Sequence, residues 1–263
     1  MELRGAKVLL TGASGGIGQA MARAFGARGA EVVLTGRRVD VLEPLAERLG
    51  GRAIAADLTD PDAVERLLDE AGGVDVLVAN AALPASGPLS DFSIEQIDRA
   101  LGVNLRTPIV MAKLAGERMA ERRRGHLVFV SSLAGKTASG HASLYNATKF
   151  GLRGFALALR EDMRPHGVGV STVFPGFIRD AGMFAEAKVE LPRGVGTRSP
   201  ADVARATIRA IEKNLGEVDV APLGLRLGAL FGGVAPGVAA AVQRRMGADK
   251  ITTGLGENQR DKR

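Results

Sequence analysis

Between an apolar run, Ala6–Leu10, and a stretch from Gln19 to Arg28 with apolar residues at helical spacing stands Thr11-Gly12-Ala13-Ser14-Gly15-Gly16-Ile17-Gly18. The run is short enough for a buried strand, and Ala20, Met21, Ala24 and Phe25 mark one face of the helix that follows. Strand, glycine loop and helix in that order restrict the fold more than any other stretch. Glycines let the backbone turn tightly and come close to a pyrophosphate, whose charge is stabilised by the free N–H groups of a helix start. A glycine-rich turn alone is weak evidence; between a first strand and a helix it points to a dinucleotide site. Gly12, Ser14, Gly15, Gly16, Ile17 and Gly18 are its candidate contacts.

The same alternation continues along the chain. Strands are expected at Glu31–Thr35, Arg52–Ala56, Val74–Ala79, Gly125–Ser131, Val168–Phe174 and Glu217–Val220. Helices are expected at Val39–Leu49, at Asp62–Ala71 led by Pro61, after the capping box at Ser93–Gln96, and on to Arg124. Two more are expected from Ser143 to Pro165 and from Ser199-Pro200 to Leu215. Near-continuous apolar strands separated by helices of ten or more residues imply an α/β fold, a single-domain doubly wound parallel sheet with helices on both faces. Ligands of such sheets bind at the carboxyl ends of the strands. Thr11, Arg37, Asp57, Asn80, Ser132 and Pro175 fall at such ends, so one shared cleft is expected.

The end of the second strand carries Gly36-Arg37-Arg38, where a fold selecting NAD usually offers an acid to the ribose. A guanidinium fork suits a 2′-phosphate, so Arg37 and Arg38 favour NADP(H), while Asp40 nearby keeps NAD(H) open. Small residues at Asn80-Ala81-Ala82 let a ribose or adenine ring lie against backbone, and Asn80 can tie neighbouring strands together.

Thirteen residues after Ser132 comes Tyr145-Asn146-Ala147-Thr148-Lys149. On a helix Tyr145 and Lys149 are i and i+4 and share a face. A free tyrosine has a pKa of about 10, and a fixed positive charge nearby favours the phenolate. Tyr145 is therefore a candidate general acid or base, with the Ser132 hydroxyl able to reach the same substrate oxygen. The pattern is weak by itself and gains weight from the strands and loops upstream.

These motifs, in this order and spacing over roughly residues 5 to 220, resemble the short-chain dehydrogenase/reductase family. The resemblance rests on Thr11-Gly12, Gly16, Gly18, Asp57-Leu58, Asn80-Ala81-Ala82, Asn104, Ser132, Tyr145, Lys149 and Pro175-Gly176. It implies a Rossmann-type sheet and hydride transfer between a nicotinamide and a carbonyl or alcohol carbon. Tyr145 would exchange the proton, Ser132 would hold the substrate oxygen, and Lys149 would bind the nicotinamide ribose and lower the Tyr145 pKa. Asn104 would hold a water relaying protons to Lys149. Asp57 and Leu58 would contact the adenine, Asn80 to Ala82 would line the cofactor channel, and Pro175, Gly176 and Ile178 would contact the cofactor. Ser131 is expected to be structural. The family usually has threonine five residues after Pro175; here Asp180 stands there, either accepting from the nicotinamide amide or facing water.

Residues 1–222 are expected to form the catalytic domain, with an irregular flap over the substrate from Phe177 to Val195, interrupted by Gly182, Pro192 and Gly194. Residues 223–246 form an apolar helical extension without charge from Leu227 to Val242, too short to span a bilayer. It is expected to close the pocket or meet a subunit, with peripheral membrane contact, Arg226, Arg244 and Arg245 near headgroups, as the alternative. Residues 247–263 are expected to be a polar, flexible tail.

The 263 residues contain no cysteine and only three scattered histidines, which removes thiolate chemistry and offers no metal cluster. The net charge of +6 is dispersed among acids, and one Tyr with no Trp gives little to stack on bases, so no nucleic acid is expected. No signal peptide precedes the first strand, and a cytoplasmic protein is expected. The substrate is expected to be a small apolar carbonyl or alcohol, and the resemblance implies a homodimer or homotetramer. A dinucleotide-sensing regulatory or scaffold protein on the same fold is the alternative function; the intact Ser132, Tyr145, Lys149 and Asn104 set argues against it.

Overall fold

A computed structural model of the chain describes residues 1–60, 62–192, 195–245 and 248–262. Pro61, Gly194 and Met246, singled out in the sequence, lie outside them. The first half alternates strictly: β1 (Lys7–Thr11), α1 (Gly16–Gly26), β2 (Glu31–Gly36), α2 (Val39–Arg48), β3 (Arg52–Ala55), α3 (Ala63–Ala71) and β4 (Val76–Ala79). After α4 (Ile94–Leu101) a π-helical turn at Gly102–Arg106 leads into α5 (Thr107–Glu121), β5 (Gly125–Val130), α6 (Ser143–Met163) and β6 (Val168–Pro175). Helix α7 (Gly182–Ala187), α8 (Pro200–Glu212), β7 (Glu217–Val220), α9 (Leu223–Val234), α10 (Pro236–Arg245) and α11 (Ala248–Glu257) complete it.

The seven strands form one parallel sheet in the order β3-β2-β1-β4-β5-β6-β7. Alternate side chains of a strand point to opposite faces. Val8, Leu10, Val32, Leu34, Val76 and Val78 therefore pack on one side with Met21 and Phe25 of α1, Leu42 of α2 and Val203 of α8. Leu9, Val33, Leu77, Leu127 and Phe129 pack on the other side with Leu67 of α3, Met111 of α5 and Leu152 of α6. Apolar residues on both faces are what make these strands read as unbroken runs. Because β1 is flanked by β2 on one side and β4 on the other, the chain direction across the sheet reverses there. A crevice opens at that point, above the strands' carboxyl ends.

Helix α6 buries Leu144, Thr148, Leu152 and Ala156, a four-residue repeat along one side. It ends at Arg164–His166, where Gly167 takes a left-handed φ of 71°. Two expectations need correction. The flap is not irregular throughout: α7 forms within it, and Phe184 packs on Phe177 with ring centroids 5.0 Å apart. The stretch expected as a flexible polar tail contains α11, whose Thr252 donates to Gly140 O at 2.7 Å. Beyond it Asn258 donates to Ala187 O at 2.8 Å and Gln259 to Met183 O, with Gln259 buried. Polar side chains here hold two backbone segments together, and hydrophobic periodicity does not register that role.

Candidate functional site

The glycine loop is shaped by what presses on it. Gly12 has a φ of 62°, and a Cβ there would stand 2.9 Å from Ala81 Cα. A Cβ on Gly18 would meet Gly12 O at 2.3 Å, and one on Gly16 would meet Ala181 Cβ at 2.4 Å. The loop is thus packed on the backbone after β4 and against the Ala181 methyl of the flap. Helix α1 has no side-chain cap and no acid in its first turn, which leaves its N–H groups directed at the crevice for an anion.

Across the reversal point, the Thr11 hydroxyl accepts from Asn80 N at 2.9 Å and Ala81 N at 3.0 Å, and the Asn80 amide donates to Thr11 O at 3.0 Å. These bonds stitch the ends of β1 and β4 together. The role of the Thr11 hydroxyl is not apparent from the sequence, because its partners are about 70 residues away.

On the far side, Arg38 donates to Ser14 O at 2.6 Å, bracing the loop, while Arg37 is exposed. Asp57 accepts from the backbone N–H and the hydroxyl of Thr59 at 3.0 and 2.9 Å. The Thr59 backbone bond, followed by its hydroxyl and by the Arg37 and Arg99 charges, holds the Asp57 carboxyl below its ordinary pKa. The Asp-x-Thr spacing was the available signal for Thr59.

At the inner end, the Ser132 hydroxyl accepts from Ala134 N at 3.2 Å and lies within hydrogen-bonding reach of the Tyr145 phenol. Lys149 is 3% exposed, donates to Val130 O at 3.2 Å, and places Nζ 5.7 Å from the Tyr145 ring centroid. Residues inside the motif anchor it. Asn146 donates to Ala134 O at 2.7 Å and Thr137 O at 3.1 Å, and Ser131 donates to Lys149 O at 3.2 Å. Burial raises the Tyr145 pKa above its ordinary value, with the Ser132 bond opposing, and burial lowers Lys149 to about 8. This differs from the expected lysine-driven lowering, since desolvation dominates both groups.

All the candidate residues except Asn104 line one cleft of about 1170 Å³. Asn104, in the π-helical turn, is buried behind it and clamps Leu83, accepting from Leu83 N at 2.7 Å and donating to Leu83 O at 2.9 Å. Its amide is thereby engaged with the Leu83 main chain. Asp180 points to solvent with a φ of 69° and pairs with Arg179 at 3.4 Å. Arg99, Val103 and Gln259 also line the cleft without any signal in the sequence having marked them, and Leu225, Phe231 and Val242 of the 223–246 extension line it too.

A phenol, a hydroxyl and an ammonium at the inner end, joined by a groove to an anion-ready helix start, suit a dinucleotide lying against a small reactive group. The glycine cradle and the uncapped helix fit its pyrophosphate. A family model described as short chain dehydrogenase matches residues 6–191. The chain is 34% identical over 227 residues to a ketoacyl reductase, HetN, of Nostoc sp., covering 83% of this chain and 79% of that one. It is 30% identical over 244 residues to dehydrogenase/reductase SDR family member 7B of Xenopus laevis, covering 84% and 75%. Among solved structures, a short-chain dehydrogenase from Sphingobium yanoikuyae in complex with NADPH superimposes with a TM-score of 0.77 at 28% identity, over 89% of this chain and 95% of that one.

Proposed function

The chain belongs to the short-chain dehydrogenase/reductase family of NAD(P)(H)-using oxidoreductases, and on that basis we propose that it reduces an apolar carbonyl, or oxidises the matching secondary alcohol, with NADP(H) preferred. The observation carrying this reading is the convergence of Ser132, Tyr145 and Lys149 at the inner end of a cleft whose outer end holds the glycine loop and Arg37. The nicotinamide, when bound, supplies or accepts the hydride at the substrate carbon. Ser132 holds the substrate oxygen, and Tyr145 gives that oxygen its proton in reduction. The raised Tyr145 pKa keeps the phenol protonated near neutrality, the form a donor needs. Lys149 anchors the nicotinamide ribose, and its charge compensates the phenolate left after proton transfer. Asn104 fixes Leu83 and offers its main chain to the water that returns protons to Lys149.

The groove from Gly12 to Gly18 would hold the pyrophosphate, Asp57 and Leu58 would meet the adenine, Asn80 to Ala82 would line the channel, and Pro175, Gly176 and Ile178 would contact the nicotinamide end. Arg37, exposed at the end of β2, would take the 2′-phosphate with Arg38. The apolar wall from Leu225 and Phe231 suits an uncharged substrate. A name of ketoacyl reductase on one relative and NADPH in one solved neighbour support the reductive direction. The exposed Phe150 and Leu157 on α6 provide part of a subunit face, giving a homodimer or homotetramer.

Tyr145→Phe is expected to lower turnover by about 10²–10⁴-fold while cofactor binding persists. Unchanged turnover would sink the assignment. Arg37→Asp is expected to weaken NADPH binding roughly 10–100-fold, the loss of a charge-assisted contact, and to leave NADH nearly unaffected in a fluorescence titration. Equal losses for both cofactors would remove the phosphate role.

A further inference from the structure

Most of the large hydrophobic side chains exposed among the described residues lie on α9 and α10. On α9 they are Leu223, Leu227, Leu230, Phe231 and Val234, one stripe at helical spacing, with Val234 80% exposed. Val238 and Val242 continue it on α10. The opposite side of α9 is the one that meets the protein, through Ala229 and Gly232. α9 thus turns Leu225, Ala229 and Gly232 inward and its larger stripe outward, and α10 buries Ala239 while Val238 and Val242 stay exposed.

The charges carried by the stripe's own stretch of chain have one sign. Between Val220 and Ala248 the only charged residues are Arg226, Arg244 and Arg245. Arg226 reaches Asp219 at 3.9 Å but is half exposed, and Arg244 and Arg245 are exposed. An isologous contact with a second copy would press together two faces that both carry arginines and no acid between Val220 and Ala248, which disfavours it. An anionic lipid surface meets both features at once: hydrocarbon for the stripe and headgroup charge for the arginines. Phe231 and Val242 belong to the stripe and also line the cleft, so the cleft mouth opens on this face.

We propose that the α9–α10 face docks on an anionic phospholipid bilayer, lying in its interface, so that the cleft receives a lipophilic carbonyl directly from the membrane. The docking stands on the surface alone; the substrate clause rests on the reductase reading above. No helix among the described residues is long and apolar enough to cross a membrane, which accords with a helix pair resting on the surface.

The test is flotation of the purified full chain with phosphatidylcholine vesicles, with and without phosphatidylserine. Phosphatidylserine is expected to strengthen binding about tenfold or more, and Arg244→Gln with Arg245→Gln to remove that gain. Leu227→Ser with Leu230→Ser, at positions outside the cleft lining, is expected to weaken vesicle binding about tenfold or more and to leave NADPH binding unchanged. For a long-chain ketone held in vesicles, the same leucine variant should raise KM and leave kcat, with no change for a water-soluble ketone. Absence of flotation, equal flotation of the leucine variant, or light scattering showing that the stripe instead joins two copies would overturn the docking. Failure of the reductase reading would abolish turnover and leave flotation intact, so the two failures are distinct.

Discussion

His126 lies buried in β5, its Nε2 2.7 Å from the Ser171 hydroxyl, and burial pushes its pKa down to about 3, with the N-terminal ammonium and Arg160 adding to the shift. The folded imidazole stays neutral where an unfolded one, near 6.5, takes a proton. Between those values the unfolded state binds more protons, so stability falls as pH drops from about 6.5 toward 3. Denaturant titrations across that window should show a shallower fall for His126→Asn. Lys149 gives a second slope of the same sign at higher pH. Its folded value of about 8 lies below the ordinary lysine value of 10.5, so stability rises as pH increases between them, and Lys149→Met should flatten that rise. The positions of Tyr145 and Lys149 were legible in the sequence because i and i+4 fixes a common helix face. Their charge behaviour was not, since burial depends on Ala85, Phe92 and Ala100, which cluster with Tyr145, and on Val130, whose carbonyl takes the Lys149 ammonium, all from other parts of the chain. Asn104 was recognisable as a motif residue, but its amide partner, Leu83, is set by the path of a loop that periodicity does not describe.

Helix α8 starts with a full capping box. The Ser199 hydroxyl accepts from Asp202 N at 3.2 Å, and the Asp202 carboxylate accepts from Ser199 N at 2.8 Å. Ser199→Ala should cost about 1 kcal/mol, read as a lower urea midpoint with an unchanged slope. That start was readable as Ser-Pro-Ala-Asp, and the strands were readable as apolar runs, because in both cases the determinants are adjacent in the chain. Helices α7 and α11 lacked such signals. α7 is short and α11 is not strongly apolar, and the segment just beyond α11 is tied to α7 through Asn258, Gln259 and the Lys262–Glu186 pair at 2.7 Å. Gln259→Ala would remove the side-chain bond to the Met183 carbonyl, at a cost of about 0.5–1.5 kcal/mol to the docking of α7. Hydrogen exchange over residues 182–187 should accelerate, with the sheet unchanged.

Considered together, the two packed faces, the reversal at β1 and the cleft above it divide labour across the molecule. One set of helices is structural, and the strand ends gather residues that are distant in the chain. The sheet order was not written in the sequence, since alternation fixes parallel strands without saying which neighbours pair; β1 next to β4 follows only from the Thr11 and Asn80 bonds and the register of Val8 with Val76. If α6 forms the subunit face, Phe150→Glu with Leu157→Glu should shift light scattering toward a monomer of 27.4 kDa, and no shift would move the interface elsewhere.

The β1–β4 seam also sets an order of assembly. β1 can find β2 after a short excursion, Val8 opposite Val32, whereas its other edge waits for Val76 and for everything between. Joining distant segments carries a larger loop-closure entropy and slows folding. In a stopped-flow experiment from denaturant, helical ellipticity should therefore return before nucleotide affinity does, because the crevice exists only once that late edge has closed.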